Sequence, residues 1–369
     1  MGTMTVLRDP GEVYFLSHQM IRHRHFGLPT TSCVERIDPL TLRPLKRSPR
    51  LPAGPAWPGG IAVHANGDLY VVYGRWCHRL NPDCELLQSY ELPQNRAYNS
   101  FVILDNGVLA MKDYSDTFKA RLTFLDPESL QPVCDHFECP EPSIARLSSS
   151  GNTVYVVGTR SIFRVRLDDS MAAILDESWQ FDYIGDSTQT YGWDVVLSGG
   201  QAWFMDNGEH RYFNKMIGRG VNDTPLNLIR VSLSNIDDHV VTPISGINGG
   251  SITNPPLFDD NRRIAVGYDS ANAFVQAWRY TDAGLEPLWH KAKFGAASHM
   301  LLFAETGELL MNDFRSNSEY VVVLDIETGR EISRVHTGGF TQGVLFPSPG
   351  WERDFYWTTP GRLARVYIA

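Results

Sequence analysis

Between residues 298 and 338, apolar and polar positions alternate in four short runs. Residues 300–303 are apolar, and Glu305-Thr306-Gly307 breaks the run. Residues 308–311 lead back and stop at Asn312-Asp313. Residues 319–324 are β-branched and alternating, residues 325–329 turn again, and residues 330–336 are polar. A period of two between glycine-centred turns predicts four antiparallel strands, polar on the last. The same order recurs at 60–92, where Asn66-Gly67 joins two alternating runs, and at 99–137, where Asn106-Gly107 does the same. Asn-Gly in this setting is a strong short-range hairpin signal. Further copies run over 143–183, 193–244 and 254–292, and the chain ends on three strands at 343–346, 354–357 and 362–368. Residues 13–16, 33–37 and 44–51 read as second, third and fourth strands with no clear first.

First strands thus begin near 60, 99, 143, 192, 254, 298 and 343. Spacings of this size match propeller repeats of about 40–50 residues. A repeat that cannot bury its own face stacks on its neighbours, so residues 1–369 are expected to form one all-β domain, a β-propeller of four-stranded antiparallel blades. Seven first strands favour seven blades, and the spare N-terminal strands leave eight open. Joining the N- and C-terminal strands would close the ring and remove a sheet edge. No helix of useful length is predicted.

The turn phrase Asp-x-x-Thr/Ser-Leu/Gly recurs at residues 38–42, 126–130 and 325–329, the last within VVVLDIETGREISRV. With these phrases the chain resembles the broad quinoprotein-like and YVTN-like class of propellers, a resemblance that implies a fold and not an activity. The tryptophan that closes many quinoprotein repeats is missing from the phrases, so pyrroloquinoline quinone is not an expected cofactor.

Charge narrows the partners. The net charge of −9 argues against a general grip on nucleic acid or on an anionic membrane. The first 50 residues run against the trend, with eight basic side chains, among them Arg47 and Arg50, against four acidic ones. That stretch is either a solvated face or an anion-attracting rim. Five cysteines, Cys33, Cys77, Cys84, Cys134 and Cys139, fit no four-ligand zinc spacing and are expected to be reduced and packed as small apolar groups. Residues 1–8 lack the apolar run of a signal peptide, and no run of eighteen apolar residues occurs. A cytoplasmic address is the expectation.

Strand alternation assigns the candidate chemistry to one face. In an antiparallel blade the first-to-second and third-to-fourth turns lie together, and here they are short. The other face receives the insertions at 17–32 and 206–225 and the connections at 93–98, 183–192 and 245–253. Long loops on a rigid scaffold are where sites tend to sit. The same face collects Asp113 and Asp116, Asp206 and Asn207, Asp269, and Asn312 and Asp313 after second strands. At the starts of first strands stand Asn99, Ser143, Trp193-Asp194, Asn254, Ser298-His299 and Thr341-Gln342. Metal-dependent hydrolase propellers of the gluconolactonase and paraoxonase kind place Asn, Asp and Glu in this way, and the chain resembles them in general layout. A ring of Asn, Asp and His suits a polar ligand or one divalent cation. Asp and Asn after a strand also cap turns by accepting backbone N–H groups.

Histidines supply the acid–base candidates. His18, His23 and His25 share the first insertion, and His210 sits in the second. His299 opens a first strand and should face the channel, where a general acid or base would stand. No Gly-x-Ser-x-Gly elbow, phosphate loop or GxGxxG is present. The expectation is a small-molecule enzyme or ligand-binding protein with one polar site at the channel mouth, of hydrolase or lyase/isomerase type. His299, Asp206, His210 and Asp313 are the candidate catalytic residues. Asn99, Asp113, Trp193, Asn254, Asp269 and Gln342 are the candidate ligand contacts. The competing expectation is a non-catalytic scaffold for protein interaction.

Overall fold

A computed structural model describes residues 2–19, 30–54, 59–208, 223–252, 254–339, 346–359 and 362–368. Those residues form eight antiparallel sheets in chain order and no helix, so none is long and apolar enough to cross a membrane. The eight-bladed alternative is therefore the one adopted. The uncounted first strand is Gly2–Leu7, which pairs with Val13–His18. Its sequence, GTMTVL, alternates polar and apolar residues over only four positions, Thr3 to Val6.

The chain falls into two compact units. The first comprises Met1–Val154, Val165–Leu175 and Leu345–Ala369. It holds sheets one, two, three and eight. Sheet one runs Gly2–Leu7, Val13–His18, Thr31–Ile37 and Pro44–Arg47, with Leu51–Pro52 also pairing on the third strand. Sheet two runs Gly60–Val63, Leu69–Tyr73, Trp76–Leu80 and Leu86–Glu91, and sheet three Tyr98–Ile103, Leu109–Asp113, Arg121–Leu125 and Phe137–Glu138. Among the described residues sheet eight comprises Ser348–Pro349, Asp354–Thr359 and Arg362–Tyr367.

Burial explains the sequence pattern. The second strands Leu69–Tyr73 and Leu109–Asp113 are buried throughout, because a neighbouring sheet packs on each face. Fourth strands such as Leu86–Glu91 are mostly exposed and polar. Tyr14, Leu16 and Val34 of sheet one meet Leu69, Val71 and Tyr73 of sheet two. Val13 and Ile37 of sheet one meet Tyr356 of sheet eight. The two ends of the chain meet as neighbouring sheets, where Ser348 Oγ donates to the Thr5 carbonyl at 2.8 Å, and not as strands of one mixed sheet.

The second unit comprises Tyr155–Arg164 and Asp176–Val344. Sheet five runs Val196–Ser198, Gln201–Met205, Pro225–Ser232 and His239–Asn248. Sheet six runs Leu257–Asp259, Ile264–Asp269, Phe274–Thr281 and Gly284–Ala292, and sheet seven Leu301–Phe303, Glu308–Arg315, Ser318–Asp325 and Glu331–His336. The strands of sheet four, Ser148–Ser150, Thr153–Val157, Ser161–Leu167 and Ala173–Asp182, contribute residues to both units. Aromatic rings join consecutive sheets of this unit. Trp203 stacks on Phe258 at 4.6 Å, and Trp289 Nε1 donates to the Ile326 carbonyl at 2.7 Å.

Two local readings need correction. The second strand of sheet seven does not stop at Asn312-Asp313 but pairs on to Arg315↔Ser318. Ser316 and Asn317 close this hairpin with φ of 48° and 58°, the left-handed pair that matches strand twist, but without the Asn-Gly signature. First strands also begin later than their apolar runs do, at Val196, Leu257, Leu301 and Ser148. Trp193, Asn254, His299 and Ser143 therefore stand just ahead of inner strands, at the end of the inter-sheet connections.

Candidate functional site

The polar cluster of the second unit is assembled from these pre-strand residues. His299, two residues before Leu301, brings Nε2 to 3.7 Å from Asp194 Oδ2, two residues before Val196. Sheet six lies between these two sheets in chain order, so no ladder or turn explains the approach. Asp194 keeps only 6% of its side chain exposed and His299 keeps 24%.

Both approaches are fixed by bonds from buried side chains. Asn312 Oδ1 accepts from the backbone N–H groups of Ala297 and Ser298, both at 2.8 Å, and Tyr268 donates its hydroxyl to the Ser298 carbonyl at 3.1 Å. Asn254 donates Nδ2 to the Ala297 carbonyl at 2.5 Å. The backbone leading to His299 is thus gripped by sheets six and seven. On the other side, Trp193 N–H donates to Met205 O at 3.1 Å and Gly208 N–H to Tyr191 O at 2.8 Å. Thr190 N–H donates to Asn207 Oδ1 at 2.9 Å. Gly208 is required here because a Cβ would come within 2.9 Å of Trp193 Cε3. Trp193 is 3% exposed, and among the described residues its indole N–H has no acceptor.

The aspartates form a different set. Asp206 is buried and accepts from Asn227 N–H at 2.8 Å, Asn227 Nδ2 at 2.7 Å and Gln189 Nε2 at 2.9 Å. Burial pushes its carboxyl up to about 6, against the pull of those donors. Asp269 accepts from Ser251 N–H, Asn272 N–H, Ser245 Oγ and Asn272 Nδ2, and burial raises it as well. Asp313 accepts from Gly295 N–H at 2.7 Å and pairs with Arg315 and Arg334. In the first unit, Asp113 accepts from Arg121 N–H at 2.6 Å and pairs with Arg96 at 3.0 Å. Each of the four satisfies a backbone N–H where the chain leaves or rejoins a sheet, the capping alternative of the sequence reading.

His210 and Gln342 lie outside the described residues, as do His23, His25 and the side chain of Asn99. His18 is buried, its ring 5.2 Å from that of Tyr73, and burial lowers it to about 4. All five cysteines are free thiols; Cys77, Cys84 and Cys139 are buried, and Cys33 and Cys134 half-buried. Among the described residues no group of three or more His, Cys, Asp or Glu side chains is arranged to hold a metal ion. Asp194 and Asn312, both placed on the candidate face by the sequence, take their particular roles only in three dimensions, since one faces a group two sheets away and the other works through backbone N–H groups.

No family model and no curated protein matches the sequence. Solved structures do match in fold. Dihydro-heme d1 dehydrogenase NirN, in complex with DHE, aligns with a TM-score of 0.61 at 13% identity, covering 88% of this chain and 65% of that one. The chain thus spans under two thirds of the length of that relative. Sqt1 of Chaetomium thermophilum, bound to the N-terminus of a ribosomal protein, aligns at 0.62 with 11% identity, over 94% and 91% of the two chains. Virginiamycin B lyase of Staphylococcus aureus aligns at 0.50 with 11% identity, over 81% and 89%. At these identities the likeness is one of fold, and the fold is common to enzymes and binding proteins. The chain is a β-propeller of eight sheets, within the broad propeller class that its turn phrases suggested.

Proposed function

We propose that the second unit binds a small organic metabolite beside Trp193 and Asp194, and that His299 performs acid–base chemistry on it of the hydrolase or lyase/isomerase kind. The observation that carries this reading is the 3.7 Å approach of His299 to Asp194 from sheets that are not consecutive. A buried carboxylate facing an imidazole restricts the orientation of the ring. A ring so held takes a proton from a ligand or a water and returns it. The bonds from Asn312, Asn254 and Tyr268 hold the ring's backbone, the support a general base needs to stay in reach. The 24% exposure of His299 leaves it within reach of a ligand. The unpaired indole N–H of Trp193 offers a donor to a ligand oxygen, since a buried donor without an acceptor carries a desolvation cost that a ligand relieves. Asp206, Asp269 and Asp313 hold the frame.

The test is a thermal-shift screen of a small-metabolite set against the wild type, His299→Ala and Asp194→Asn. The expected outcome is a hit that raises the Tm of the wild type and of neither variant. If the hit turns over, Asp194→Asn is expected to lower kcat/KM and His299→Ala to abolish turnover. Hits that bind both variants unchanged would overturn the assignment, and a screen without hits would favour the interaction scaffold.

A further inference from the structure

Away from that site, the first unit carries two adjoining clefts around the start of the strand Thr31–Ile37. One, of about 310 Å³, is mostly apolar and is lined by Pro52, Ala53, Gly54, Trp76 and Thr30. The other, of about 270 Å³, is polar and is lined by His18, Ser32, Cys33, Glu35, Arg47 and Ser48. Thr31 and Arg50 line both. The clefts follow from an irregularity of sheet one. Its fourth strand breaks after Arg47, and the chain rejoins Thr31 and Ser32 through Leu51–Pro52.

The charges at this junction are unequal. Arg47 is held by Glu35, with Nε at 2.6 Å. Arg50 is exposed and, among the described residues, has no ion-pair partner. Ser32 is 1% exposed, lines the polar cleft, and its hydroxyl has no hydrogen-bond partner among the described residues. A buried hydroxyl left unpaired costs about 1–3 kcal/mol unless something enters to meet it. His18 is buried beside it and stays neutral at physiological pH, because burial lowers its ionisation to about 4. The wall opposite Arg50 is the half-buried indole of Trp76, stacked on His78 with 5° between the ring planes. His78 is itself fixed by Ser89 Oγ and the Pro52 carbonyl, both at 2.8 Å, so the indole rests on a rigid base.

We infer that these clefts form a second binding site, for a small carboxylate with an aromatic or aliphatic body. The carboxylate meets the Arg50 guanidinium and the Ser32 hydroxyl, and the body lies over Pro52 and Ala53 against Trp76. An unpaired guanidinium beside an apolar wall selects for this pairing of charge and hydrocarbon. A neutral ligand would leave the charge of Arg50 unanswered, and a cationic one would be repelled by it.

Isothermal titration of the full chain with phenylacetate, phenylacetamide and acetate tests the inference. Phenylacetate is expected to bind, and each of the others about tenfold more weakly, one lacking the charge and the other the body. Arg50→Gln is expected to bring phenylacetate down to the affinity of the amide without changing the Tm, since Arg50 is exposed and unpaired. Trp76→Ala is expected to weaken both aromatic probes alike. Absence of phenylacetate binding, equal binding of acid and amide to the wild type, or full binding to Arg50→Gln would each overturn it. His299→Ala should bind phenylacetate as the wild type does, and loss of binding there would place the probe in the site of the second unit instead.

Discussion

Asp206 and Asp126 show how the same side chain carries opposite pH signatures. Asp206 is raised from its ordinary value of 3.8 to about 6, chiefly by burial. The folded protein thus holds this proton more tightly than the unfolded chain does. Its contribution to stability is complete below the ordinary value and disappears as pH rises through 6. Asp126 is lowered, first by the Ser129 backbone N–H and then by the Ser129 hydroxyl. Its contribution is present above 3.8 and is lost as pH falls through its lowered value. Urea unfolding at pH 4.5, 6 and 7.5 should therefore show a downward component in the wild type that Asp206→Asn lacks. That variant should also be less stable at every pH, because its amide faces the donors of Asn227 and Gln189. Asp126→Asn should lose stability at pH 7 and match the wild type at low pH. In the sequence Asp206 is a candidate catalytic residue with turn capping as its alternative, and Asp126 opens a turn phrase; nothing local shows the burial that sets Asp206 apart. Asp206 has a buried setting made by a partner, Gln189, that is remote in the ladder.

At the scale of elements, the recurrent turn phrase has a single physical basis. Asp38 Oδ1 accepts from Leu40 N–H, Thr41 N–H and Thr41 Oγ1. Asp126 and Asp325 make the equivalent three bonds to Glu128 and Ser129, and to Glu327 and Thr328. The fifth residue then takes the left-handed conformation, with φ of 56° at Leu42, 50° at Leu130 and 67° at Gly329. This explains the phrase Asp-x-x-Thr/Ser-Leu/Gly, and why it was legible. Its determinants lie within five residues, whereas those of the His299–Asp194 pair span two sheets. Gly329 is the position with the least freedom, since a Cβ there would lie 2.6 Å from Trp289 Cδ2. Gly329→Ala is expected to cost more than about 1 kcal/mol, from left-handed strain plus displacement of Trp289. The emission of Trp289 should shift as its bond to Ile326 O loosens, whereas Leu42→Ala should leave the emission unchanged. The turn at Ser316-Asn317, which carries neither the phrase nor an Asn-Gly pair, escaped the sequence reading. Ser316-Asn317 closes its hairpin on two left-handed residues, neither of them glycine.

For the molecule as a whole, the number of blades was the quantity hardest to read. Apolar periodicity marks a strand only where one face is buried and the other is not. Gly2–Leu7 alternates over only four positions, and Ser348–Pro349 pairs over only two residues. The fold class depends on many repeats and tolerates the loss of one, but a count does not. The contact between the first and last sheets is carried by Val13, Ile37 and Tyr356 and by the bond from Ser348 to Thr5. Ser348→Ala is expected to cost about 1 kcal/mol, the net value of one buried hydrogen bond. Hydrogen exchange should then speed up at the strands Gly2–Leu7 and Asp354–Thr359, and not at Phe274–Thr281.

Because, among the described residues, no strand crosses between the first and last sheets, the protein has a distinctive mechanical response. Gly2–Leu7 lies on the inner edge of its sheet and Arg362–Tyr367 on the outer edge of its own. Each belongs to a hairpin whose open end faces the terminus, with Gly2 opposite Ser17 and Tyr367 opposite Asp354. A pull applied at Gly2 and Ile368 would part those ladders one hydrogen bond at a time, as a zipper opens. It would not shear a whole strand at once. Resistance to stretching should therefore be low at first and should rise only when the pull reaches the blades behind them.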